Sequence, residues 1–258
     1  MSEHVRVAIE DNILRLTLAR PEKKNALSMA MYSVLGNALI QAQSDPAVRA
    51  ILIDAEGDAF TAGNDLADFA AVAAGTLDRK QMTSLVFLHA LAYADKPIVA
   101  AVQGLAVGIG VTMLLHCDVV YVAEDAKLST PFVGLGLVPE AASSWLLQAR
   151  IGYARAFAMI GLGEQLDGKT AASYGLVNAA LPAAEVRPRA LAAAQHLALR
   201  AIGALQASKR LMRDAALIKA TMERENEVFG ARLATAEAGE ALKAFSERRA
   251  PNFRAIVD

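Results

Sequence analysis

The sequence predicts a layered α/β fold assembled from repeated strand–turn–helix units, with an all-helical C-terminal region. Three observations carry this expectation. Short apolar or alternating stretches recur through the first 200 residues, each followed by a glycine- or proline-marked turn and then a helical pattern. From Gly203 to Arg249 nearly every window reads as helix, with more apolar positions than one face could bury alone. Of the 258 residues, 55% are hydrophobic and 21% charged, enough for a large core with apolar surface left for subunit contacts.

Taken in order, Val5 to Ile9 and Ile13 to Leu18 alternate around Glu10-Asp11-Asn12, the pattern of a hairpin, and Arg20-Pro21 breaks the second strand. Ser28 is placed to cap a helix running to about Ser44, where Asp45-Pro46 stops it. Ala50 to Asp54 is a short buried strand, Glu56-Gly57-Asp58 a turn, and AFTAGNDL (59–66) a glycine-containing bend ahead of a helix. Residues 67 to 94 are helical in pattern, interrupted near Gly75. Pro97 to Val102 is an apolar strand that enters a turn broken by Gly104, Gly108 and Gly110, then an apolar run and the β-rich segment Val119 to Val122. A second turn, broken by Gly134 and Gly136, ends on Pro139-Glu140, the expected start of another helix. Gly152 to Ile160, Lys169 to Tyr174 and Glu185 to Arg200 read as helices, and Val177 to Leu181 as the last extended piece. The division this suggests is a core of residues 1–200 and a helical region of residues 201–258 used for oligomer contacts, with no low-complexity linker between them.

Composition removes several function classes. Net charge is −1, with 26 basic and 27 acidic residues, so no basic bias points to nucleic acid and no polybasic block to a membrane. The single cysteine, Cys117, cannot form an intrachain disulfide and fits a reducing compartment. The N-terminal stretch carries acids and lacks an apolar core of the signal-peptide kind, and no uncharged apolar run reaches about 18 residues. The expectation is a cytoplasmic protein. His4, His89 and His196 show no ligand spacing, so no metal site is expected. His116-Cys117-Asp118 sits in an apolar run with no partner nucleophile and reads as buried structure. GEQLDGKT (163–170) matches the phosphate-loop spacing, but it follows a helical pattern rather than a strand, and Glu164 and Asp167 would repel phosphate.

The chemistry concentrates between Gly104 and Trp145. Glycines at close spacing let backbone N–H groups approach a ligand where a Cβ would clash. A turn of this kind opening a helix offers free N–H donors and the positive end of the helix dipole, which suits a developing oxyanion. Glu140 is the one acid of this stretch with no cation nearby in sequence. A first-turn helix acid is the plain alternative for it; a proton-moving role is the functional one.

RPEKKNAL (20–27), AFTAGNDL (59–66), PIVAAVQGLAVGIGVTMLLHCDVVYVAEDAKL (97–128), PFVGLGLVPE (131–140) and AASYGLVN (171–178) resemble, in order and spacing, the crotonase superfamily of enoyl-CoA hydratases and isomerases. The resemblance covers nearly the whole chain. It implies a spiral of ββα units with a C-terminal helical oligomerisation region, and a homotrimer or dimer of trimers. It also implies an acyl-CoA thioester substrate whose enolate is held by two backbone N–H groups, with coenzyme A as part of the substrate and no separate cofactor. Carried over by motif, those donors fall on Asn64 and Ile109, and Glu140 becomes the catalytic acid. Lys23 and Lys24 lie where the family's CoA-binding loop runs. Ala62, Gly63, Asp65, Leu66, Gly108 and Phe132 belong to the motifs that line the substrate. Asp65 also reads as a plain helix cap. Phe253 and the pair Arg248-Arg249 resemble a C-terminal element that approaches a neighbouring subunit's CoA.

The sequence departs from the family's hydratases at two places. Their two glutamates fall, by spacing, on Thr112 and Phe132. An acid stands instead at Glu140, where many hydratases have glycine. AGNDL with PFxxLGxxPE resembles the Δ3,Δ2-enoyl-CoA isomerase branch, in which that later glutamate is the single base. Two other readings stay open on sequence alone: another enolate chemistry on an acyl-CoA, such as ring-epoxide isomerisation or atypical hydration, and a non-catalytic acyl-CoA-binding protein.

Overall fold

Asp11 and Asn12 both take left-handed backbone, with φ of 51° and 62°, and so close the N-terminal hairpin with a two-residue turn suited to right-twisted strands. Its strands are β1 (Val5–Glu10) and β2 (Ile13–Leu18), antiparallel, with Val5 opposite Leu18. The computed structural model describes residues 3–65, 67–68 and 83–256. The chain continues through α1 (Met29–Ser44), capped by the Ser28 hydroxyl, to the fully buried β3 (Ala50–Ala55). Then come α2 (Ser84–Ala92), β4 (Ile98–Val102), β5 (Leu105–Val107) and the short α3 (Ile109–Thr112), which runs on as a 3-10 turn over Met113–His116. β6 (Val119–Ala123), β7 (Lys127–Ser129), α4 (Ser143–Ile151) and α5 (Tyr153–Phe157) follow. The last part holds β8 (Leu166–Asp167), α6 (Gly168–Ser173), β9 (Ala179–Leu181), α7 (Ala183–Ala198), α8 (Ile202–Met212), α9 (Ala215–Leu233) and α10 (Ala236–Ser246).

The strands form two stacked rows, and the chain alternates between them. The larger sheet runs β1-β2-β3-β4-β6-β9, parallel from β2 onward, and the smaller runs β5-β7-β8. Isolated bridges Leu27–Asn64 and Thr61–Ala106 extend the smaller row, so β3 is followed by a segment beside β5, as β4 is by β5 and β6 by β7. Each turn of the chain therefore places one strand in each row, which is the expected spiral. Strands buried on both faces read as continuous apolar runs, as β3 and β4 do. Helix α7 packs across β3, β4 and β6 and closes that side of the core.

The outline expected from sequence holds, with differences in detail. The short strands β5, β7 and β8 carry too few residues for a period-2 signal, and only their pairing defines them, parallel between β5 and β7 and antiparallel between β7 and β8. The helix expected over 152–160 is α-helical only to Phe157 and widens into a π-helix over Ala158–Leu162. Most of residues 67–94, with Gly75, lies outside the described residues. Asp167 rejects the phosphate-loop pattern structurally: its carboxylate accepts from Thr170 N–H at 2.7 Å and occupies the helix terminus that a phosphate would need. Among the described residues, no helix is long and apolar enough to cross a membrane.

The three C-terminal helices are tied to the rest of the chain. Ile218 and Met222 of α9 enter the main core, and Phe229 and Leu233 form a smaller cluster with Leu137 and Ala238. By contrast α8 buries none of its residues, and Leu211 and Met212 are nearly fully exposed.

Helices α1 and α2 touch through Gly36. A Cβ there would stand 3.1 Å from the Phe87 backbone nitrogen and 3.2 Å from Val86 Cγ1. Gly36→Val therefore wedges two backbones apart. It is expected to cost about 1–3 kcal/mol, read as a lower urea midpoint with unchanged slope.

Candidate active site

The AFTAGNDL bend leaves one amide over. Gly63 has φ of 97°, and a Cβ on it would come within 2.9 Å of the Val107 carbonyl oxygen. Around it the ladder is nearly full: Gly63 N–H donates to Thr61 Oγ1 at 3.1 Å, Leu27 N–H to Gly63 O at 2.8 Å, and Asp65 N–H to Leu27 O at 3.0 Å. The Asn64 N–H between them finds no protein acceptor among the described residues. The turn before α3 works in the same way. Val111 and Thr112 donate to Gly108 O, and Gly108 donates to Ser129 O, while Ile109 N–H at the helix start finds no acceptor among the described residues. Two amides, one on each of two neighbouring glycine turns, are thus left without a protein acceptor among the described residues.

The far end of the same helical segment is capped by cations. Arg150 donates to the Leu114 and Leu115 carbonyls at 3.4 and 3.1 Å, and Arg213 to the His116 carbonyl at 3.3 Å. These are the carbonyls a helix leaves unpaired, and positive charge is favourable there. His116 is buried, its Nε2 lies 2.8 Å from the Ala141 oxygen, and burial followed by Arg213 pushes its pKa down to about 3. Asp118, read from sequence as buried, is instead partly exposed and paired with Lys209 at 2.7 Å; Cys117 is buried as expected.

Glu140 does not open a helix. It precedes two consecutive left-handed residues, Ala141 and Ala142 with φ of 60° and 57°, and α4 starts only at Ser143. Its carbonyl accepts from Ser143 N–H at 3.0 Å and from Ser143 Oγ at 2.6 Å. The residue as a whole is only partly buried, but its Oε1 is buried and finds no hydrogen-bond partner among the described residues. Burial first, and then the nearby Glu225 carboxylate, push its pKa up to about 8. Glu225 comes from α9 and is itself buried. It accepts from Ala142 N–H at 2.6 Å and Ser144 N–H at 2.8 Å.

A cavity of about 630 Å³ opens beside the two amides. Its walls include Lys23, Ala62, Gly63, Asn64, Asp65, Gly108 and Phe132, and also Val107, Leu135, Leu137, Phe229 and Phe245. Glu140 is not one of these walls. Its carboxylate is close enough to Tyr32 to raise that phenol, after burial itself, and the Tyr32 hydroxyl donates to Asn64 Oδ1 at 2.5 Å. Tyr32 therefore hydrogen-bonds the Asn64 side chain and lies within electrostatic reach of Glu140. Thr112 is fully buried in apolar packing, and Phe132 fills the second position where a hydratase acid was sought. Lys24 stands away from the cavity and pairs with Asp58 at 2.6 Å. Phe253 lies on a C-terminal turn outside the walls, and Arg249 is engaged by Glu240 and Glu247. Asp65 pairs with Arg20 at 2.8 Å and accepts from Ala67 N–H, the helix-capping alternative. Leu66 lies outside the described residues. Among the described residues, no cluster of His, Cys, Asp or Glu could hold a metal ion.

Sequence reasoning missed Tyr32 and Glu225. A signal existed for the second. The buried row of α9 is Ile218, Thr221, Met222, Glu225, Phe229, Leu233, and one acid at helical spacing on an apolar face is out of place.

The family described as enoyl-CoA hydratase/isomerase matches residues 8–255. A probable enoyl-CoA hydratase of Rhodobacter capsulatus is 34% identical, over 98% of this chain and 99% of its own. The enoyl-CoA delta isomerase 2 of Rattus norvegicus is 36% identical over 70% of this chain and 47% of its own. A crystal structure of an enoyl-CoA hydratase/isomerase from Pseudoalteromonas atlantica superposes with a TM-score of 0.91 at 40% identity, covering 97% of this chain and all of that one. Spiral, glycine turns and sequence thus agree on one lineage, and the chain belongs to the enoyl-CoA hydratase/isomerase family of the crotonase superfamily.

Proposed function

We propose that this enzyme is a Δ3,Δ2-enoyl-CoA isomerase acting on acyl-CoA thioesters. One observation carries the reading: among the described residues Glu140 alone has a buried carboxyl oxygen without a partner, and neither Thr112 nor Phe132 supplies the acids that hydration would use. The thioester oxygen accepts from Asn64 and Ile109 N–H. The Glu140 carboxylate removes a C2 proton, the electron pair moves toward the carbonyl oxygen, and the enolate is held by the two amides. The same carboxyl returns its proton at C4 as the double bond shifts to C2–C3. A preorganised amide donor contributes about 3–4 kcal/mol to such a transition state, and proton transfer by a placed carboxylate roughly 10²–10⁴-fold. No cofactor beyond the substrate's coenzyme A is needed. Lys23 at the cavity rim is the cation we assign to the CoA phosphates.

Hydration through Glu140 is the second reading, favoured by the name of the full-length Rhodobacter relative. A 3-enoyl-CoA and a 2-enoyl-CoA offered to the protein in D₂O separate the two. Isomerisation with deuterium at the α and γ carbons supports the first; a 3-hydroxyacyl product replaces it with the second; binding without turnover leaves an acyl-CoA carrier. The exposed apolar end of α8 supports assembly as a homotrimer or a dimer of trimers, which sedimentation at two concentrations measures.

Glu140→Gln is expected to lower isomerase kcat by at least roughly 10²-fold. For the wild type, kcat/KM is expected to rise with pH through about 8, since only the ionised Glu140 accepts the proton. Stability runs the other way. The folded pKa lies above the ordinary 4.5, so the folded state binds more protons between 4.5 and about 8, and stability falls as pH rises across that window. Glu140→Gln should therefore match wild type in urea midpoint near pH 4 and exceed it above pH 8.

A further inference from the structure

We propose that Glu225 is a positioning residue for this reaction: from the C-terminal helix it holds the turn that carries Glu140 and supplies the second negative charge against which Glu140 ionises. The inference rests on the Glu140 reading given above. The geometry is specific. Ala141 and Ala142 lie in a backbone region costly to residues with a Cβ, and two in succession persist only where the surroundings fix them. Three groups do so here: Glu225 takes the Ala142 and Ser144 amides, one on each carboxylate oxygen; His116 holds the Ala141 carbonyl; and Ser143 holds that of Glu140.

The two carboxyls are unlike. Burial raises the Glu225 carboxyl too, but both its oxygens accept N–H bonds and Arg224 next to it adds favourable charge, so of the two Glu225 is the one whose ionised form the surroundings support. Glu140 has neither, and faces Glu225 from the loop and the Tyr32 phenol from α1. Where two carboxyls sit in environments that push their affinities apart, one keeps its charge and the other moves the proton. His116 is buried and neutral and adds no charge to the pair. On this reading Glu225 never touches substrate. It makes Glu140 a stronger base once ionised and fixes where that base points.

Two variants test the two halves. Glu225→Gln removes the charge and one acceptor; the acid limb of kcat/KM is expected to move down by about one pH unit or more. Glu225→Asp keeps the charge but falls a methylene short of the amides; kcat is expected to drop about 10- to 10²-fold with KM little changed and the limb in place. An activity-free readout runs alongside: the pH at which Glu140→Gln begins to stabilise the protein should fall in the Glu225→Gln background. A limb and a stability crossover both unmoved in a folded Glu225→Gln protein overturn the electrostatic half. Wild-type kcat in Glu225→Asp overturns the positioning half, and decides alone if the Gln variant does not fold. Turnover retained by Glu140→Gln would instead overturn the isomerase reading, while the stability comparison still judges the Glu140–Glu225 coupling.

Discussion

A carboxyl oxygen buried without a partner, Oε1 of Glu140, is the constraint to which the rest of this structure answers. Removing Glu140 from water without a hydrogen bond or a cation is unfavourable, and proteins ordinarily avoid it. Here the cost is sustained by a large core, by α7 closing the main sheet, and by a turn held from three directions. Had an arginine stood beside Glu140, the fold would be more stable and the carboxylate a poor base. The unsatisfied oxygen is a feature that stability alone would have removed.

The oxyanion amides follow the same economy of leftovers. Asn64 and Ile109 offer their N–H groups because the amides around them are tied to Leu27, Thr61, Gly108 and Ser129. Preorganisation here means that the neighbours are already engaged, so nothing must rearrange when charge develops on the substrate. Gly63 makes the arrangement possible, since a Cβ would collide with the Val107 carbonyl and push the two segments of the smaller row apart. Tyr32 then hydrogen-bonds the Asn64 side chain in this half of the site and lies within electrostatic reach of Glu140.

Much of this is legible in the sequence, and the division is physical. The turns and the two-sided strands announce themselves because their signal is local: glycine at fixed spacing, apolar runs of five or six residues. Glu140 stands out because no neighbour in the chain could neutralise it. Tyr32 and Glu225 do not, because their roles arise from contacts 32 and 83 residues away. Lys24 carries a motif position, yet its ammonium is drawn to Asp58, a pairing set by the tertiary approach of two loops. Strands of two or three residues, and the π-helical end of α5, are likewise tertiary facts without a period long enough to read.

The cap on the far end of the oxyanion helix comes in part from Arg213, and the pin on the catalytic turn from Glu225. Both lie in the last fifth of the chain. During synthesis, the nine strands of the described residues and both glycine turns emerge before either residue is made. A nascent chain can thus lay down these strands while the Glu140 turn is held by His116 and Ser143 but not yet by Glu225. A chain that ended before α9 would keep every strand named above and lose the carboxylate that ties Ala142 and Ser144.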